Sequence, residues 1–162
     1  MKKILIFLLL GVIVYLAVSF YFMDREFFLC PIEYKNQIII RNDSRGDGFF
    51  AASRHGRRTH EGIDLLAEVG VPVLAARSGT VTQATANRGM GKYVVIRHRA
   101  GIKTIYGHLS EICVRKGEFV RQGHMIGRVG KTGNANSRYM QPHLHLEVRY
   151  NGIPQDPLNY LQ

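Results

Sequence analysis

Polar and apolar positions divide this chain into three textures. Residues 4–23 (ILIFLLLGVIVYLAVSFYFM) carry no charge, and Lys2 and Lys3 precede them. No face of that run is polar, unlike an amphipathic helix packed on a core. A run of about 20 apolar residues is long enough to cross a hydrocarbon layer as a helix. It is also longer than the roughly 7–15 apolar residues of a signal-peptide core, and it continues past its one cleavage-like triplet, Ala17-Val18-Ser19. Residues 1–23 are therefore predicted to be an uncleaved signal anchor, a transmembrane helix. Lys2 and Lys3 should stay cytoplasmic and send the remainder outward. Residues 24–46 mix charges with Pro31 and a single apolar run, Ile38-Ile39-Ile40, and read as a connector.

From Asp47 to the C-terminus the pattern changes again. Short runs of β-branched and aromatic residues alternate with glycine-containing turns such as Asn87-Arg88-Gly89, Arg99-Ala100-Gly101 and Asn151-Gly152. Expected strands cover Val71–Ala75, Gly79–Gln83, Tyr93–His98, Thr104–His108, Phe119–Val120, Met125–Val129 and Leu144–Tyr150. No segment after residue 23 sustains helical spacing for more than a couple of turns. Many short, closely spaced strands predict a mainly β domain over 47–162, a compact antiparallel sheet with a barrel-like or sandwich-like form. Its length suffices for a core without staples.

Charge adds a preference in partners. The formal net charge is +10, and removing Lys2 and Lys3 leaves +8 for the rest. That excess suits an anionic partner, such as nucleic acid, phospholipid or an acidic wall polymer, or else a well-solvated surface. An outward-facing domain makes nucleic acid the poorest of these. The two cysteines, Cys30 and Cys113, could pair in an oxidising compartment or stand as separate thiols.

The histidines carry the chemistry. In Pro142-His143-Leu144-His145-Leu146-Glu147-Val148 polar and apolar residues alternate strictly. On a strand His143 and His145 would share one face while Leu144, Leu146 and Val148 face a core. Such a pair suggests a metal or a proton transfer. Glu147 falls on the same face and is a candidate acceptor for an imidazole N–H. The second feature is His60-Glu61-Gly62-Ile63-Asp64. It is not a helical HExxH motif, because position 64 is aspartate and Gly62 interrupts a segment without helical periodicity. An extended segment delivering one imidazole and one carboxylate, joined by one histidine of the pair, would give two nitrogens and one oxygen. Three protein ligands with a fourth position left for water is the usual catalytic zinc arrangement, and such a water can ionise near neutral pH.

These stretches together resemble the M23 peptidases, the lysostaphin-like or LytM-like zinc endopeptidases of bacterial cell walls. Besides the two histidine segments, the matching stretches are Gly70-Val71-Pro72-Val73, Ala75–Val81, Tyr106-Gly107-His108-Leu109-Ser110, Ile126–Asn134 and Pro157-Leu158. The resemblance implies a single Zn²⁺ held by His60, Asp64 and His145, with His108 and His143 as catalytic histidines. It also implies hydrolysis of peptide bonds in peptidoglycan stems or cross-bridges by a metal-activated water. The expected location is the bacterial cell membrane, single-pass, with the domain on its outer face. Two departures stand out: the Gly48–Arg54 region lacks the tyrosine often found upstream of the first ligand, and the Thr132–Pro142 connection is lengthened by Ser137–Gln141. An alternative is a non-catalytic peptidoglycan-binding scaffold or activator of another hydrolase. A biotinyl- or lipoyl-type carrier lacks its acceptor lysine and leaves the histidine pair unexplained. His55, His98 and His124 match no ligand position and read as structural or surface residues.

Overall fold

The computed structural model describes residues 2–21, 27–54, 56 and 58–161. A single α-helix, α1 (Lys2–Tyr21), precedes the β domain. Its side chains are described for residues 3–19, and all of them are exposed. Among the described residues no helix is long and apolar enough to cross a membrane. The structure therefore does not show the anchor expected over 1–23.

Two small hairpins open the domain, β1 (Asn42–Asp43) with β2 (Gly46–Asp47) and β3 (Ser53–Arg54) with β4 (Arg58–Thr59). They are followed by β5 (Ile63–Leu66), β6 (Pro72–Leu74), β7 (Gly79–Asn87), β8 (Gly91–Arg97), β9 (Ile102–Leu109) and β10 (Glu111–Ile112). The last are β11 (Phe119–Val120), β12 (Met125–Arg128), β13 (His143–Tyr150) and β14 (Ile153–Gln155). The main sheet runs β11-β7-β8-β9-β13-β14, with β5 also on β13, and a smaller sheet runs β10-β12-β6. All of these ladders are antiparallel. Every strand expected from the sequence has a counterpart, and the domain is mainly β.

The barrel-like form is not observed. β11 and β14 end the main path without pairing to each other, so the sheet is open. What replaces closure is packing: alternate residues of the main sheet and residues of the small sheet share one core. Val81, Val94, Ile96, Tyr106, Leu144, Leu146 and Val148 come from the former, Val73 and Ile126 from the latter, and each is at most 1% exposed. Burying one such aliphatic side chain is worth about 1.5–3 kcal/mol. The core thus fixes which face of β13 turns inward, and the histidine face turns the other way.

The stretch 24–46, expected as a connector, is built into the domain from residue 27 onward. Phe28 and Ile32 are in the core, and Ile40 bridges Leu65 on β5. The backbone N–H of Arg41 donates to the Asp64 carbonyl at 2.8 Å, and that of Asp64 donates to Gly48 at 2.8 Å. These bonds cover the edge of β5 that β13 leaves free. Cys30 and Cys113 are both free thiols.

Candidate metal centre and catalytic cleft

β13 lies at the middle of the site because it has partners on both edges. One edge pairs with β9, and the other is shared by β5 and then β14. The register sets His145 opposite Gly107 on one side and opposite Asp64 on the other. His143, His145 and Glu147 occupy one face, while Leu144, Leu146 and Val148 are fully buried in the core. On β5 the same alternation sends Ile63 and Leu65 inward and Asp64 toward the histidines.

Gly62 lets this happen at close range. A Cβ there would lie 2.2 Å from the Leu146 carbonyl oxygen, so only glycine lets the His60–Asp64 segment approach β13 this closely. His108 is delivered by a different device. The β8–β9 ladder shifts register between Lys92 and Val94, and His108 adopts φ +62°, uncommon for a residue with a side chain. Such irregularities re-aim side chains, and here one turns His108 toward the β13 histidines. Its ring lies 5.0 Å from that of His143 and 5.8 Å from that of His145.

Three donor atoms converge. His60 Nε2 is 3.0 Å from His145 Nδ1, His145 Nδ1 is 2.9 Å from Asp64 Oδ1, and His60 Nε2 is 3.2 Å from Asp64 Oδ1. Among the described residues these form a group that could hold a metal ion. With zinc bonds of about 2.0–2.2 Å, tetrahedral donors sit about 3.3 Å apart, close to the triangle observed. The set of two imidazoles and a carboxylate also suits zinc chemically, so the residues fit the metal that the sequence implied.

The outer atoms of each histidine are pinned. His60 Nδ1 donates to the Phe49 carbonyl at 2.9 Å, His143 Nδ1 to that of Gln141 at 2.7 Å, and His108 Nδ1 to that of Thr132 at 2.9 Å. A carbonyl only accepts, so each of these rings carries its proton on Nδ1 and keeps Nε2 for other work. His145 is turned the other way. Its Nε2 donates to Glu147 Oε1 at 3.1 Å, which leaves Nδ1 at the metal position. Glu147 is held in turn by Arg149 Nε at 2.7 Å, and Arg149 reaches on to Glu61. Carboxylate partners of this kind orient a ligating imidazole and raise its basicity.

Electrostatics separates four of these groups. Burial would lower His145, but its hydrogen bonds to Asp64 and Glu147 outweigh burial and push it up to about 9. Burial would raise Asp64, but hydrogen bonds from His145 and His60 hold it well below the usual carboxylate range. His108 is lowered to about 3, chiefly by burial and then by His145 and His143 nearby. Burial also lowers His143. In the metal-free protein the proton therefore sits on His145, while His108 and His143 are neutral proton acceptors.

Sequence reasoning missed Arg41 and Arg54. Both guanidinium groups reach the outer oxygen of Asp64, Arg41 at 2.9 Å and Arg54 at 3.0 Å, leaving Oδ1 for the centre. Arg41 also holds Asp43 at 2.7 Å and is 1% exposed. Only its place in an apparent connector hid it, since no motif marks it. The region without the expected tyrosine contributes the Phe49 carbonyl and Arg54. In the inserted loop Arg138 and Tyr139 are exposed and stack on one another, and Gln141 ties the loop to Asp43. His98 is buried and bonded to Ser78 and Thr104, His124 is exposed, and His55 lies outside the described residues.

Above the centre is an open groove of about 780 Å³ with His60, His108, His143 and His145 among its lining. The sequence pattern described as Peptidase family M23 matches residues 58–157. Over 105 residues the chain is 43% identical to the DD-carboxypeptidase/endopeptidase Mpg of Neisseria meningitidis serogroup B, covering 65% of this chain and 23% of that protein. It is 43% identical over 100 residues to the peptidoglycan DD-endopeptidase ShyC of Vibrio cholerae, covering 62% and 22%. The chain thus spans less than a quarter of the length of each of these relatives. Among solved structures, a zinc-containing peptidase from Vibrio cholerae superposes with a TM-score of 0.68 at 31% identity, covering 83% of this chain and 40% of that one.

Proposed function

This chain belongs to peptidase family M23, and from that premise we propose that it is a zinc metalloendopeptidase cutting peptide bonds of peptidoglycan stems or cross-bridges. The observation that carries the reading is the arrangement of nitrogens around Asp64. Three metal-competent atoms meet within 3.2 Å of one another, and two further neutral histidines stand beside them. His60 Nε2, Asp64 Oδ1 and His145 Nδ1 would hold the ion. Bound there, zinc supplies Lewis-acid polarisation of the carbonyl and lowers the pKa of water.

The chain's own residues supply the rest. Hydrolysis breaks the C–N bond, adds hydroxyl to the acyl carbon and delivers a proton to the amine. His143 and His108, each with Nε2 unprotonated, are the groups able to take the water's proton and pass it to the leaving nitrogen. Their Nδ1–H bonds to Gln141 and Thr132 keep that nitrogen in the accepting tautomer. Glu147 does the corresponding work for His145. The alternative of a non-catalytic scaffold or activator leaves these tautomer-fixing bonds without a purpose.

The test is digestion of purified peptidoglycan by the zinc-loaded full chain, with product analysis. His143→Ala and His108→Ala should each cut the rate by about 10²–10⁴-fold, the usual contribution of a proton-transferring group, with zinc still bound. A wild-type protein that binds zinc yet leaves peptidoglycan unchanged, as the variants do, would sink the reading.

Residues 4–23 further serve as a single-pass anchor, with the domain on the outer face of the bacterial membrane. Support comes from the charge-free run behind Lys2 and Lys3, and from the exposure of residues such as Leu5 (70%) and Phe7 (72%). Protease added to intact spheroplasts should remove the domain, and protection of it would refute this placement.

A further inference from the structure

The groove carries a basic excess: Arg41, Arg45, Arg54 and Arg58 line it together with three acids, Glu61, Asp64 and Glu147. The acids of the groove are already engaged. Asp64 is paired with Arg41 and Arg54, and Glu61 and Glu147 are both paired with Arg149. Arg41 and Arg54 are likewise occupied. The guanidinium groups of Arg45 and Arg58 are exposed and have no side-chain partner among the described residues.

Two uncompensated guanidinium groups lining a peptide-sized groove are each able to hold a carboxylate. Arginine matches that group bidentately, and a metal ion in the centre would only deepen the positive potential. A chain of neutral residues such as a glycine bridge would leave both cations with water alone. On the peptidase reading above, on which this rests, we infer that the groove selects peptides bearing a free carboxylate beside the scissile bond, and that Arg45 and Arg58 read it. The substrate is then an acidic stem peptide in preference to a neutral cross-bridge.

Both arginines sit on hairpins rather than in the core: Arg45 in the β1–β2 turn, Arg58 on β4 opposite Arg54. Neither touches the donor triangle. Their replacement should therefore change selectivity without disturbing the metal or the fold.

The test uses dye-labelled stem peptides released from peptidoglycan, with carboxylates either free or converted to carboxamides. Binding to the metal-free full chain is read by fluorescence anisotropy, so that the carboxylate has no ion to coordinate. Amidation should weaken binding about tenfold, equivalent to roughly 1.4 kcal/mol. Arg45→Gln with Arg58→Gln should bring that ratio close to one at unchanged zinc affinity, and the double lysine variant should keep most of it. Equal binding of free and amidated peptides by wild type overturns the inference, as does a glutamine variant that retains the full ratio. If the free peptides bind preferentially but the zinc-loaded protein cuts none of them, the carboxylate site stands and the peptidase reading fails.

Discussion

In the proposed zinc site, His145 is the residue that metal must win from a proton. In the metal-free protein its ring lies between Asp64 Oδ1 at 2.9 Å and Glu147 Oε1 at 3.1 Å. Burial opposes the charge, but the hydrogen bonds to these two carboxylates raise its pKa to about 9. Binding through Nδ1 requires the neutral ring, so the apparent zinc affinity should climb about tenfold per pH unit until it levels near pH 9. At pH 7, two units below, it should be about 100-fold weaker than at the plateau, with nearly one proton released per ion bound. Glu147→Gln tests the cause. Glutamine can still accept the Nε2–H bond but brings no charge, so the levelling point should move down, though only part of the way, because Asp64, the larger of the two raising partners, remains. The pH-7 deficit should shrink accordingly. The assay is competition with a chromophoric chelator from pH 6 to 9, with proton release followed in a dye-buffered solution. A flat wild-type affinity between pH 7 and 9, or a variant whose levelling point has not moved, would refute the reasoning. The same shift fixes a stability trend. Because the folded pKa is raised, His145 stabilises the metal-free fold fully below about 6.5 and loses that contribution as pH rises through about 9. Zinc-free unfolding midpoints should accordingly fall across that window, and by less where Glu147 is replaced.

Gly62→Ala places a methyl against the Leu146 carbonyl, so it should cost about 1–3 kcal/mol by overpacking, measured by urea unfolding. It should also weaken zinc binding, since residue 62 lies between two ligands, and an unchanged affinity would mean that the close approach does not set their spacing. Arg41→Ala removes one of the two cations paired with buried Asp64, along with the ion pair to Asp43, so stability should drop by about 3–5 kcal/mol. A loss below about 1 kcal/mol, the range of exposed pairs, would show that Arg54 and water take over.

Local rules carry far in this protein, and they stop at identifiable places. Alternation along His143–Val148 suffices to put two histidines and Glu147 on one face and three aliphatics on the other, because period two is a property of the strand itself. The candidates His60, Asp64, His143 and His145 were legible from their types and spacings, whereas His108 and the division of roles among the five followed from the family resemblance. Glycine-bounded runs placed the strands for the same local reason. Three things needed the tertiary structure. One is register: only the β5–β13 pairing sets Asp64 opposite His145, and a slip of one residue would turn it to the other face. Another is the open form of the sheet, which depends on whether β11 and β14 meet, a long-range matter to which neither sequence testifies. The last is the supporting shell. Arg41 and Arg54 bind Asp64 from 23 and 10 residues away, and carbonyls of Phe49, Gln141 and Thr132 fix three tautomers. Backbone carbonyls belong to every residue, and an arginine in a segment that looks like a linker carries no signature. Residue chemistry thus named the candidate groups, and long-range packing decided which nitrogen of each faces the centre.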